Sequence, residues 1–202
     1  MKLTKYVKIK EGRVWIDGLL DDSISHDESA NDFKTFAKEV YQAYAIKYPK
    51  FYKMDKMSKL GFLSTEILLK GLDLSAYRPE EIGVLFANSS SSLNNDYRYQ
   101  QSIKEIPSPS VFVYTLPNIV VGEICIRHDF KGESLFLVRE SFDYGFFYNY
   151  CRYLFKECEQ KAIIIGWVEI DMNDQYESFL CLIESSQEAE FTIEDFKNIK
   201  NK

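Results

Sequence analysis

At 202 residues, with 46% hydrophobic and 28% charged positions, the chain suits a single globular domain spanning 1–202, and a second full domain is not expected. The formal net charge of −6 argues against nucleic acid and against anionic membrane surfaces as partners, because phosphate binding needs a concentrated basic surface. Fifteen phenylalanines and fourteen tyrosines predict a large aromatic core or a buried interface with a partner.

In chain order, Lys5 to Leu20 reads as a strand or hairpin, with Tyr6, Val7 and Ile9 before a turn at Glu11-Gly12 and Val14-Trp15-Ile16 after it. The acidic stretch Asp21 to Glu28 reads as a solvated loop. Ser29 then caps a helix whose apolar positions Phe33, Phe36, Ala37, Val40 and Tyr44 follow helical spacing, and Pro49 ends it. A second helix is predicted from Met57 to Lys70, with Leu60, Leu63, Ile67 and Leu68 turned inward and Gly71 as its stop. Beyond Pro79, Ile82 to Ala87 reads as a strand that runs into a polar loop, Asn88 and Ser89 to Ser92. Such a loop could cradle a phosphate or thioester, although this composition is usually plain surface. Asp96 to Ile103 suggests a short helix, and Pro107 and Pro109 an extended stretch.

From Leu116 the pattern becomes helix, strand, elbow, helix, strand. Pro117 fits a first helical turn, and Ile119, Val120, Ile124 and Ile126 predict a largely buried helix behind it. A turn at Lys131-Gly132 leads to the strand Leu135 to Val138, and Asp143 caps a helix carrying Phe146, Phe147, Tyr150 and Leu154 at helical spacing. The apolar run Ala162 to Val168 predicts a central parallel strand covered on both faces. Asn173-Asp174 reads as the turn to a last strand, Tyr176 to Glu184, and Thr192 opens a short terminal helix with Glu194 and Asp195 in its first turn.

No apolar run reaches the length that spans a bilayer, and the N-terminal MKLTKYVKIKEGRVW has no apolar signal core, so the expected compartment is the cytoplasm. Cys125, Cys151, Cys158 and Cys181 show no CxxC or Cys/His cluster. Neither a metal site nor a disulfide scaffold is expected, and packed, reduced thiols are. No cofactor is implied.

The elbow Arg139-Glu140-Ser141-Phe142 stands where a strand turns abruptly into a buried helix, a place that suits a nucleophile because the helix N-terminus stabilises developing negative charge. The ordered series LPN, GE, KG, strand, elbow, helix and IIIGWVE resembles the N-terminal half of a β-ketoacyl synthase, of the thiolase-like superfamily. Upstream, DKMSKLGFLSTEILL followed by EEIGVLFANSSSS resembles that family's helix, strand and polar loop, and SPSVFVYTLPN resembles the segment before its active-site helix. The resemblance covers Tyr52 to Glu169. It implies a thiolase-like half-domain: a layered α/β fold with a mixed, mainly parallel five-stranded sheet covered by helices.

The resemblance also marks a departure. The family's elbow carries a cysteine in a run of small residues, whereas this chain reads Arg139, Glu140, Ser141, Phe142, Asp143, Tyr144, Gly145. Counting forward from Gly132 puts Ser141 at the cysteine position; counting back from Gly145 puts Phe142 there. The family's remaining catalytic residues, two histidines or a histidine and an asparagine, come from a C-terminal half that this chain is not expected to contain. The histidines present, His26 in the acidic loop and His128 at a helix end, fall elsewhere.

Ser141 is thus the candidate catalytic residue, read either as an acyl-accepting nucleophile or as a polar remnant, since serine depends on an adjacent base. Cys151 lies within a helix and reads as a structural thiol. Glu140, Asp143 and Glu169 either form a carboxylate cluster around the elbow or are salt-bridged surface groups, with Arg139 adjacent. The resemblance implies a non-catalytic ketosynthase-like partner or scaffold in fatty acid, polyketide or polyene synthesis. Its expected partners are a second copy, a full-length ketosynthase or an acyl carrier protein, and the family's pairing strand corresponds to Leu135 to Val138. The alternative is a truncated acyltransferase or thioesterase that uses Ser141 with a base from another chain; a bare interaction module is a third.

Overall fold

Two hairpin turns set the N-terminal edge. Glu11 and Gly12 both take positive φ, 50° and 73°, as a two-residue type I′ turn requires, so β1 (Lys2–Lys10) folds back on β2 (Arg13–Ile16). A second such pair, Asp17 and Gly18, folds β2 onto the two-residue β3 (Leu19–Leu20). The computed structural model describes residues 1–24, 32–186 and 191–201. The expected cap Ser29, His26 and the end of the acidic loop lie outside the described residues; the cap seen on α1 (Phe33–Ala43) is Asp32, whose carboxylate accepts from Thr35 N.

The remaining elements follow in order: α2 (Lys56–Leu69), β4 (Ile82–Asn88), α3 (Leu93–Ser102), α4 (Pro109–Val113), α5 (Ile119–His128), β5 (Ser134–Val138), α6 (Tyr144–Glu157), β6 (Ala162–Ile170), β7 (Tyr176–Glu184) and α7 (Ile193–Asn201). Among the described residues the strands form one sheet in the order β3-β2-β1-β7-β6-β4-β5. The layered α/β arrangement is as expected, but the sheet has seven strands rather than five. Only β4–β5 and β4–β6 run parallel; the other four pairings are antiparallel. The reason lies in the connections. Helices carry the chain between β4, β5 and β6, whereas tight turns join β1 to β3 and β6 to β7, and a tight turn can only reverse a strand.

Side chains alternate across the sheet with period two, and this separates two cores. On β4, Ile82, Val84 and Phe86 face one side and Leu85 and Ala87 the other; on β6, Ile164 and Val168 oppose Ile163, Ile165 and Trp167. The first core is closed by α1, α2 and α5. The second is closed by α6 and α7, through Phe147, Cys151, Leu154 and Phe196. β6 is buried along nearly its whole length, as its unbroken apolar run predicts, parallel to β4 on one side and antiparallel to β7 on the other.

Two local expectations are corrected. The stretch after Pro107 is not wholly extended: Pro109 occupies the first turn of α4, where its missing N–H is no loss, and Ser108 Oγ accepts from Val111 N to cap it. On α5, Val120, Val121 and Ile124 are buried but Ile126 is 67% exposed, because two residues past Ile124 the helix has turned its opposite face outward.

Candidate functional site

The parallel strands β4, β5 and β6 all end in one neighbourhood, the end of an open α/β sheet at which ligands bind. Two loops meet there: the serine-rich turn after β4 and the elbow after β5. The backbone joins them, because Arg139 N donates to Asn88 O at 2.8 Å.

The serine turn is held from within. The fully buried Asn88 side chain accepts from Ser91 N at 2.9 Å and donates to Ser91 O at 2.8 Å, which curls the loop and leaves Ser91 at φ 53°. The amides that a phosphate would use are occupied by the protein's own carboxylate. Glu169, at the end of β6, accepts from Ser89 N and Ser89 Oγ at 2.6 Å each and from Ser90 N at 3.2 Å. Glu169 therefore does not join a carboxylate cluster at the elbow. Asp143 caps α6 by accepting from Phe146 N at 2.9 Å, and Glu140 is exposed.

At the elbow, adjacent residues part ways. Ser141 is exposed on the rim of an open depression that also involves Arg139, Tyr144, Ile193 and Lys197. Phe142 turns inward. It is 4% exposed, stacks on Phe147 with centroids 4.6 Å apart and planes 6° apart, and meets Tyr144 and Phe196 edge-on at 5.1 and 5.3 Å. The volume beneath the elbow is filled by aromatic rings. The Arg139 guanidinium lies 5.8 Å over the Phe146 ring beside them.

Among the described residues no histidine serves Ser141. His128 ends α5, on the side of the first core, and its Nε2 lies 3.0 Å from Glu66 Oε1. Arg127 joins the same carboxylate through Nε at 3.0 Å. Burial acts to raise the Glu66 carboxyl, but the hydrogen bonds from His128 and Arg127 outweigh it and hold the group below its ordinary value. Cys151 is buried in the second core, where desolvation pushes its thiol far above the range of a reactive cysteine; Cys125 is pushed up to about 11 by the same cause. Among the described residues, no three of His, Cys, Asp and Glu gather in a group that could hold a metal ion. No helix among them is long and apolar enough to cross a membrane.

Sequence reasoning missed the bond from Glu169 to the serine turn and the group around Glu66. The first joins residues eighty positions apart and has no local signature. The second left a trace, a carboxylate set inside the apolar run of α2.

No family model and no curated protein matches this chain. Solved structures do. A chain from the complex of a ketosynthase with its chain length factor from Xenorhabdus doucetiae superposes with a TM-score of 0.61 at 14% identity, over 92% of this chain and 79% of that one. The chain has the ketosynthase fold. The ishigamide ketosynthase/chain length factor shares that ketosynthase fold with a TM-score of 0.59 at 19% identity, over 93% of this chain and 63% of its own. So does a type II polyketide synthase assembly of an acyl-carrier protein with its ketosynthase bound to a hexaketide, with a TM-score of 0.60 at 15% identity, over 90% and 61% respectively. The present chain thus spans under two thirds of these last two ketosynthase-fold chains, and the likeness carries the thiolase-like architecture expected from the resemblance.

Proposed function

We propose that this protein is a non-catalytic ketosynthase-like partner or scaffold in the synthesis of polyketide, polyene or fatty acyl chains. The observation that carries this reading is Phe142. Its ring is packed into the space beneath the elbow where a nucleophile would meet an acyl chain, and the neighbouring Ser141 faces solvent with no histidine beside it among the described residues. Two surfaces suit a partner. β5 is the outer strand of the sheet, half-buried, with Val138 53% exposed at its end. The α3–α4 region shows Leu93, Tyr97, Ile106, Phe112, Val113 and Leu116 to solvent. A full-length ketosynthase or a second copy would pair along β5, and an acyl carrier protein would dock on the assembled pair, as the partnerships named for the fold neighbours suggest.

The second reading, acyl transfer or thioester hydrolysis through Ser141 with a base from another chain, draws on the exposure of that hydroxyl at the open depression. One experiment separates the two. Intact-mass measurement after incubation with acyl-coenzyme A and acyl-carrier thioesters should find no stoichiometric adduct on the wild-type protein. A stoichiometric adduct retained in Cys151→Ala and lost in Ser141→Ala would replace the first reading with the second.

A further inference from the structure

A second depression, open to solvent, lies between α1, α2 and α5, on the side of the sheet away from the elbow, with a volume of about 510 Å³. Its lining combines the apolar Ile46, Leu69, Leu72, Leu74 and Phe130 with the basic Lys47, Lys70 and Arg127 and with His128, and holds a single carboxylate, Glu66. Glu66 is already engaged, because Arg127 and His128 both bond it. Among the described residues no ion pair within 4 Å neutralises Lys47 or Lys70. Asp21, whose charge also acts on Lys70, accepts from the Tyr44 hydroxyl and from Ser23 N.

Three of these groups are held against aromatic rings. Lys70 Nζ lies 4.4 Å over the Tyr44 ring, Arg127 lies 5.0 Å over Tyr48, and His128 stacks on Phe130 at 5.2 Å. Two of the five N–H donors of Arg127 go to Glu66, which leaves the fork able to accept a further planar anion. Cations set among apolar side chains select a ligand with both characters, and the ordering of Lys70 and Arg127 lowers the entropy lost on binding.

We infer that this cleft binds an amphipathic organic carboxylate, with its head on Lys47, Lys70 and Arg127 and its apolar body along Leu69, Leu72, Leu74 and Phe130. This goes beyond the ketosynthase-like reading and does not depend on it, since no residue of the elbow takes part.

Isothermal titration calorimetry of the full chain with decanoate, kept below its micelle concentration, tests the site, with acetate and decanol as head-only and body-only probes. The expected result is saturable, one-to-one binding of decanoate, at least about tenfold tighter than either fragment probe. In the double variant Lys47→Gln/Lys70→Gln the Kd for decanoate should rise roughly fivefold or more, consistent with two partly exposed charge pairs. Both lysine side chains are exposed, so the variant should keep the wild-type circular dichroism spectrum and unfolding midpoint, which separates lost binding from lost fold. Absence of decanoate binding, decanol or acetate binding as tightly, or an unchanged Kd in the double variant would each overturn the proposal.

Discussion

Phe142 is the residue on which the site turns. Its ring touches Phe147 face to face and Tyr144 and Phe196 edge-on, so truncation removes both buried area and aromatic pairing. Phe142→Ala should lower unfolding free energy by about 3–5 kcal/mol, and Phe142→Leu by clearly less, measured from urea denaturation curves. A loss under about 1 kcal/mol for the alanine variant would mean that the space beneath the elbow is not filled by packing and could admit a chain. The sequence left open whether Ser141 or Phe142 holds the nucleophile position. Period-two reasoning stops where β5 ends, at Val138, and helical reasoning begins only at Tyr144, so neither decides which residue of the connecting bend turns inward.

At the level of elements, β6 and β7 approach unusually closely at Gly166. A Cβ there would come 2.0 Å from Phe179 O and 2.9 Å from Leu180 Cα, both backbone atoms that cannot swing aside as a side chain would. Gly166→Ala should therefore destabilise the protein by about 1–3 kcal/mol, read as a lower midpoint in thermal denaturation; an unchanged midpoint would show that the two strands separate there at no cost. The longer helices were legible from their period: Asp143 and Thr192 cap where the sequence placed them, and β4 to β6 follow the expected order. What sequence could not show is the long-range pairing. β1 meets β7, Lys2 opposite Glu184, and that contact makes the sheet seven strands wide and mostly antiparallel. α4 was hidden by two prolines read as breakers, although Ser108 followed by Pro109 is itself a helix start.

For the molecule as a whole, β5 is the outer strand at the parallel edge of the sheet, opposite the short β3. Arg139 N and Glu133 O both point at β4, so the odd-numbered backbone groups of this strand face inward along the sheet and those of Phe136 and Val138 face outward. Strand-to-strand association should therefore use Val138 N–H and be lost in Val138→Pro, which removes an outward donor and leaves the β4 ladder intact. Light scattering over a concentration series is expected to show wild-type dimers and Val138→Pro monomers with the same secondary structure. A wild-type chain that stays single throughout, or a proline variant that dimerises as tightly, counts against β5 as the joint.

The bond between Glu169 and the serine turn also changes how that turn meets the solutes around it. Its amides carry a tethered competitor whose effective concentration is on the order of millimolar or more, whatever the bulk solution contains. A dissolved anion has to compete with that carboxylate to reach the Ser89 and Ser90 amides.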